Sequence, residues 1–371
     1  MSIARALSNA LTGLSATARG TETVSANLAN VMTPGYARRE MALSAHGITG
    51  GVRVDGIVRH VNESLLGETR GALAAQGDAQ TRASYLRQME QVIGLPGDAH
   101  GLEAALSRFQ TALSSAASRP EDELRLVELA HSASSLAGRL NAATTSVQAA
   151  RVAADQAIAT DVAALNAALD QVAYLNKRVA AAQANGHDAS ALLDERQLVV
   201  DRLSSIVPLQ QVTRESGAIS LFTRDGAVLL DGIKPSRIDF VAAGTIDPGQ
   251  TIGNGLSRLV FNGQELAPGQ VGLFAGGSLG ANFSIRDELA PKLQQDLDAL
   301  AMDLYTRMAS PAVDPSLAPG EPGLFVDPVS STGPSVATGF AGRIALNSRV
   351  DPVAGEPWRL RAGLNAPSSG P

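Results

Sequence analysis

Cysteine is absent from the 371 residues, and only 4% of them are aromatic. The first absence excludes disulfides and thiol chemistry, though it identifies no compartment. The second means that Ala and Leu carry much of a chain that is 44% hydrophobic, which favours long packed helices over a β-sandwich. The net charge is −6, from 30 basic and 36 acidic residues, and no basic block occurs. Nucleic acid is therefore not an expected partner. No stretch approaches the ~20 apolar residues of a membrane span, so membrane insertion is not expected. Arg5 and Arg19 break up the N-terminus, which lacks the apolar core of a secretory signal peptide.

What the chain does have is a patterned beginning. Positions spaced alternately four and three apart read Ile3, Leu7, Ala10, Leu14, Thr17, Thr21, Val24 and Leu28. This 3.5-residue repeat belongs to a helix that wraps around another helix. An ordinary buried helix would show it too, but no local partner stands nearby. Pro34 then disfavours helix at Thr33, and Gly35 permits a left-handed turn.

Further along, 37–62 reads as extended chain with a short hairpin. From Glu63 the pattern is helical, with Leu66, Leu73, Leu86, Met89 and Ile93 spaced for one face, and Leu95-Pro-Gly-Asp98 ends it. A second helix covers roughly 101–117, with Leu102, Leu106 and Leu113 on one side. After Pro120 a long helix runs from Leu124 to Asn185 along Val147, Ala154, Ile158, Leu165, Leu169, Val172 and Val179, and Asn185-Gly186 caps it. Another helix follows to about Ile206.

Beyond 209 come short strand candidates at 219–223, 228–230, 238–241 and 257–261, separated by Asp225-Gly226, Asp231-Gly232, Asn254-Gly255 and Asn262-Gly263 turns. Helix resumes near Asp287 along Leu289, Leu293, Leu297, Leu300, Leu304 and Met308. Pro/Gly-rich chain then leads through weak strands at 343–347 and 358–361 to a tail from Asn365 that reads as unstructured. The expected fold class is mainly α with an inserted β module, in an elongated multi-domain chain. Its divisions are an N-terminal helix and linker (1–62), a long helical domain (63–206), a small β module (207–284), a return helix (285–310) and loops with a disordered tail (311–371).

No constellation suggests catalysis. His46, His60, His100, His131 and His187 are scattered, with no pair at metal-ligand spacing. Asp194-Glu195-Arg196 reads as a solvated or salt-bridged helix face rather than paired catalytic carboxylates, because adjacent helical residues point in different directions. Gly276-Gly277-Ser278-Leu279-Gly280 precedes a helix but lacks both the Walker Lys-Ser/Thr pair and dinucleotide spacing, so a turn is the better reading. No catalytic residue, metal or cofactor is expected.

Ser25-Ala-Asn-Leu-Ala-Asn30 followed by Thr33-Pro-Gly-Tyr36 resembles the N-terminal signature of bacterial flagellar rod, hook and hook-associated proteins. The match lies at Asn27, Ala29, Asn30, Thr33, Pro34, Gly35 and Tyr36. Further stretches resemble the hook-associated protein 1 family, the first hook–filament junction proteins. These are Tyr85-Leu86, Glu90, Gly94-Leu-Pro-Gly-Asp98, Leu102, Phe109, Arg119-Pro120, Arg125 and Val127. The series continues through Leu192-Leu-Asp-Glu-Arg196, Leu203-Ser204, Gly276-Gly277, Gly280, Arg286-Asp287, Leu297-Asp-Ala-Leu-Ala301, Asp314, Gly320 and Gly323-Leu-Phe325.

The resemblance implies a structural subunit that joins hook to filament. It would be exported through the flagellar type III channel without a cleaved signal and lie outside the cell in the flagellum. The implied partners are a ring of copies of itself, the hook protein, the second junction protein and an export chaperone. The implied assembly seam is Ile3, Leu7, Leu14, Val24 and Leu28, with Asn27, Asn30, Thr33, Pro34, Gly35 and Tyr36 forming the turn after it. The family closes with a C-terminal amphipathic helical region that pairs with the first helix. No such region occurs before Pro371, so the expectation is either a truncated form or a seam whose partner comes from elsewhere. Alternatives are another axial subunit, of hook or distal rod, a flagellum-associated peptidoglycan hydrolase, or a secreted coiled-coil effector.

Overall fold

The computed structural model describes residues 3–45, 50–330, 333–334 and 336–369. Helix accounts for 56% of it. In chain order, α1 (Ile3–Ala29) leads to a hairpin of β1 (Arg39–Ala45) and β2 (Val52–Arg59). Four helices follow: α2 (Glu63–Ile93), α3 (Leu102–Ser118), the 62-residue α4 (Glu123–Ala184) and α5 (Ser190–Ile206). The next strands are β3 (Leu209–Thr213), β4 (Ile219–Thr223), β5 (Val228–Asp231), β6 (Lys234–Pro235) and β7 (Ile238–Asp239). After them come β8 (Thr251–Ile252), β9 (Gly255–Leu256), β10 (Val260–Phe261) and β11 (Gln264–Glu265). The chain then forms α6 (Gly277–Ser284), a π-helical turn at Ile285–Leu289 and α7 (Ala290–Met308). The last elements are β12 (Phe325–Val326), β13 (Ala345–Leu346) and α8 (Arg359–Ala362).

The chain divides into two compact units. One comprises 1–80, 159–240 and 258–281; the other comprises 81–158, 241–257 and 282–371. The boundary passes through α2 and through α4.

In the first unit, Val162, Leu165, Leu169, Val172, Leu175 and Val179 of α4 are all buried, as are Ile219 and Leu221 of β4 and Leu229 and Leu230 of β5. Strands β3 to β6 form an antiparallel meander in chain order, and β7, β10 and β11 form a second small sheet. Asp225-Gly226 closes the turn from β4 to β5, with Gly226 at φ +96°. Asn262 and Gly263, both at positive φ, make the two-residue turn between β10 and β11.

Asn176 on α4 pins this sheet. Its Nδ2 donates to Ile219 O (2.8 Å) and Gly232 O (2.6 Å), and its Oδ1 accepts from Ile219 N (3.1 Å) and Arg196 Nη1 (2.8 Å). The amide is fully buried and well satisfied, the condition under which a buried polar group is tolerated.

The second unit packs Leu126, Leu129, Leu136, Leu140 and Val147 of α4 against Phe109, Leu297, Leu304, Phe325 and Phe340. Buried Asp298 accepts from Gly339 N (2.7 Å) and Ala341 N (2.8 Å) and fixes the 3-10 turn at Phe340–Gly342. The π-helical turn buries Arg286, which donates to Asp155 (2.6 Å). Arg151 beside it donates to the carbonyls of Asp247 (3.1 Å) and Gln250 (2.7 Å).

Several sequence expectations shift. The weak strand read at 358–361 falls on the helical turn α8, and helix resumes at Gly277 rather than near Asp287. Leu86 and Leu113, assigned to inner faces of α2 and α3, are 52% and 38% exposed. The buried residues there are Tyr85, Ala105, Phe109, Ala112 and Ala116, because small side chains let helices approach closely while the leucines flank the contact.

Candidate assembly interface and its motif lock

Helix α1 has two unlike faces. Asn9, Thr12, Gly13, Ala16, Gly20, Thr23, Asn27 and Asn30 are partly or fully covered, at helical spacing of three and four. This small-residue face receives the β1–β2 hairpin. Met41 Cε lies 3.4 Å from the point where a Cβ on Gly20 would stand, and Val52 N–H donates to Thr12 Oγ1 at 3.4 Å.

The other face is open. Ile3 is 89% exposed, Leu7 61%, Leu14 68%, Val24 65% and Leu28 75%, and Leu11 (59%) widens the same stripe. Scattered exposed hydrophobics are ordinary, but these fall on one stripe of the 27-residue helix, apolar at both ends with Thr17 and Thr21 between. The hairpin therefore does not occupy the 3.5-residue seam.

The motif after the stripe is a hydrogen-bonded lock. Asn27 Oδ1 accepts from Tyr36 Oη–H and from Arg39 N–H, both at 2.9 Å, while its Nδ2 donates to Arg39 O at 2.8 Å. Asn27 thus holds the start of β1 as a neighbouring strand would. Asn30 closes the helix end: its Nδ2 donates to Ala26 O (3.0 Å) and its Oδ1 accepts from Thr33 Oγ1–H (3.1 Å). Thr33 and Pro34 are exposed in the turn. Gly35 sits at φ +78°, and a Cβ there would stand 2.4 Å from Leu198 Cγ, so both conformation and space require glycine.

The lock extends into α5. Arg39 Nη2 donates to Asp194 Oδ2 (2.8 Å), Arg59 Nε to Asp194 Oδ1 (2.7 Å) and Ala37 N–H to Asp194 Oδ1 (3.3 Å). The Arg39 guanidinium also lies 4.8 Å from the centre of the Tyr36 ring. Asp194, read from sequence as part of a solvated or salt-bridged face, is buried and takes charges from both hairpin strands, and Arg196 is buried too, so only Glu195 of the three is solvated. Its partners Arg39 and Arg59 drew no notice in the sequence, and only their basic character beside the motif could have flagged them.

Glu195 and the described histidines, His60, His100, His131 and His187, are exposed, and His46 lies outside the described residues. Among the described residues, no group of three or more His, Cys, Asp or Glu could hold a metal ion. The glycine pair ahead of α6 is shaped by packing: a Cβ on Gly277 would stand 2.2 Å from Ile206 O. Ser278 Oγ donates to Asp161 at 2.8 Å, which sets a carboxylate where a phosphate would have to approach. Among the described residues, no helix is long and apolar enough to cross a membrane.

The chain is 26% identical over 255 residues to flagellar hook-associated protein 1 of Salmonella typhimurium, covering 66% of this chain and 46% of that protein. It is 27% identical over 240 residues to the Bacillus subtilis protein of the same name, covering 61% and 47%. The chain thus spans about half the length of the curated relatives it matches. Its fold is similar to that of the flagellar hook junction protein FlgK from Burkholderia pseudomallei, with TM-score 0.57 and 24% identity over 69% of this chain and 46% of that one. A model described as flagella basal body rod protein matches residues 7–36, from Leu7 of the stripe to Tyr36 of the turn. A model of the flagellar hook-associated protein FlgK helical domain matches residues 86–310, well over half of the chain, and the chain belongs to that family.

Proposed function

We propose that this chain is part of a structural subunit of the bacterial flagellum that joins hook to filament, and that it works by helix packing rather than by catalysis. The observation that carries this reading is the two-faced α1. Its small-residue face is occupied by its own hairpin, while Ile3, Leu7, Leu14, Val24 and Leu28 are presented outward. Covering that stripe with helices of neighbouring subunits supplies the apolar burial that a lone helix lacks.

Asn27, Asn30, Thr33, Pro34, Gly35 and Tyr36 serve as the turn that fixes the hairpin to α1, so that stripe and hairpin are presented as one piece. The family match favours this assignment over a hook or rod subunit or a cell-wall hydrolase. The partners of such a subunit are a ring of its own copies, the hook protein on one side, the second junction protein on the other and an export chaperone before assembly. Its place is the flagellum, reached through type III export.

The test is to replace the residues matching Leu14 and Leu28 with Asp in a full-length homologue of a motile strain. The expected result is secreted, folded subunit with no attached filaments. Normal motility and filament attachment would refute the seam.

A further inference from the structure

A cavity of about 280 Å³ lies among α2, α4, α5 and the β3–β4 strands of the first unit, and three arginines, Arg59, Arg70 and Arg196, line it. Two of these are ion-paired, Arg59 with a carboxylate that it shares with Arg39. Arg59 Nε donates to Asp194 (2.7 Å), and Arg70 Nε donates to Asp201 (2.7 Å). Arg196 is different. It is 7% exposed, and its hydrogen bonds both leave from Nη1, to Asn176 Oδ1 (2.8 Å) and Gly217 O (2.8 Å). Among the described residues no carboxylate forms an ion pair with it.

A guanidinium carries five N–H donors, so Arg196 keeps donor capacity while lining the cavity. Burial, reinforced by Arg59 and then Arg70 and opposed by Glu63, pushes its pKa down to about 10. A buried cation without a counter-charge is costly, and an anion brought beside it removes that cost. The volume falls just below the ~300–1,000 Å³ of pockets that hold drug-sized ligands. It has ample room for one oxyanion group.

We propose that this cavity binds a single carboxylate or phosphate group, with Arg196 as the principal donor and Arg59 and Arg70 as flanking charges. Charge-assisted and bidentate bonds to a guanidinium are the strong ones, which is why this one arginine and not the paired two defines the site. The oxyanion comes either free from solution or on an acidic side chain of a second copy of this chain. Glu63, at the start of α2, is the acidic residue whose charge already reaches Arg196, and it competes with an incoming anion.

The experiment titrates the intact chain with inorganic phosphate at constant ionic strength, with sodium chloride as control, by calorimetry and thermal melting. The expected result is one saturable site per chain and a rise in Tm that chloride does not reproduce. Glu63→Gln should tighten binding about twofold to fivefold, the scale of one exposed charge interaction. Arg196→Lys, which loses the planar fork, should abolish saturable binding. Sedimentation separates the sources. Self-association in chloride that phosphate dissolves identifies a side chain of a second copy, and a monomer throughout identifies a free anion. No saturable binding of phosphate to either wild type or Glu63→Gln would overturn the proposal. So would unchanged affinity in a folded Arg196→Lys variant.

Discussion

Helices α1 and α4 carry the same kind of signal and use it in opposite ways. Both show an apolar stripe at three- and four-residue spacing. On α4 the seven stripe residues Val147, Ala154, Ile158, Leu165, Leu169, Val172 and Val179 are all 5% exposed or less. On α1 the five seam residues are all more than 60% exposed, and the chain covers the Gly, Ala, Thr and Asn face instead. Periodicity states that a face seeks a partner; it does not state whether the partner lies in the same chain. The neighbouring residues do. Around α4, later segments supply β4, β5, Phe325 and Phe340 as cover. Near α1 the nearest segment is a hairpin that fits a small-residue groove through Met41 and the Thr12 hydroxyl, which leaves no room for doubt about which face it takes.

The largest expected effect that tests this contrast is Leu169→Ala. Leu169 is fully buried, and its truncation should cost about 2–5 kcal/mol, read from the shift in urea midpoint. A cost under 1 kcal/mol would mean that the α4 stripe is not the core it is taken for. Asn176→Ala comes next. It strips partners from Ile219 N, Ile219 O, Gly232 O and Arg196, and leaving such buried groups unsatisfied should cost about 1–3 kcal/mol by the same measurement.

These examples also divide what was readable in the sequence from what was not. The bounds of α4 and the Asp225-Gly226 and Asn262-Gly263 turns were legible because period, caps and positive-φ residues are local. The mainly α class with an inserted β module was legible for the same reason. The inner faces of α2 and α3 were not, since hydrophobicity points to Leu86 and Leu113 whereas close packing selects Ala105, Ala112 and Ala116. The first half of the motif lock could be seen as Asn, Pro, Gly and Tyr near a helix end. Its second half could not: Asp194 stands 155 positions from Arg39 and 135 from Arg59, and no local rule links them. The burial of Arg286 was unreadable for a further reason, because a π-helical turn changes which residues face inward.

A smaller effect is expected from Asn27→Ala, the counterpart of Asn176 on α1. Asn27 makes three hydrogen bonds but is only partly buried, so water can replace some of them. The expected loss is about 1 kcal/mol, with faster hydrogen exchange at the Arg39 amide than at the amides of α4. Unchanged protection at Arg39 would show that the hairpin is held to α1 without the asparagine.

The smallest expected effect is the sharpest test, because it repeats the first substitution on the other helix. Leu14→Ala removes the same atoms as Leu169→Ala, but from a side chain that is 68% exposed. Alanine is also the better helix former. The stability of the isolated chain should therefore change by no more than about 0.5 kcal/mol in urea unfolding, the range of substitutions on an exposed surface. In the full-length protein the same change should weaken incorporation at the junction, since there the stripe would be covered and each truncated leucine would leave a gap in the contact. A loss above about 1 kcal/mol in the isolated chain would mean that α1 already satisfies its stripe within the chain, and the distinction between the two helices would fall. No loss in either setting would leave the leucines of α1 without a role and would remove the basis for an assembly seam.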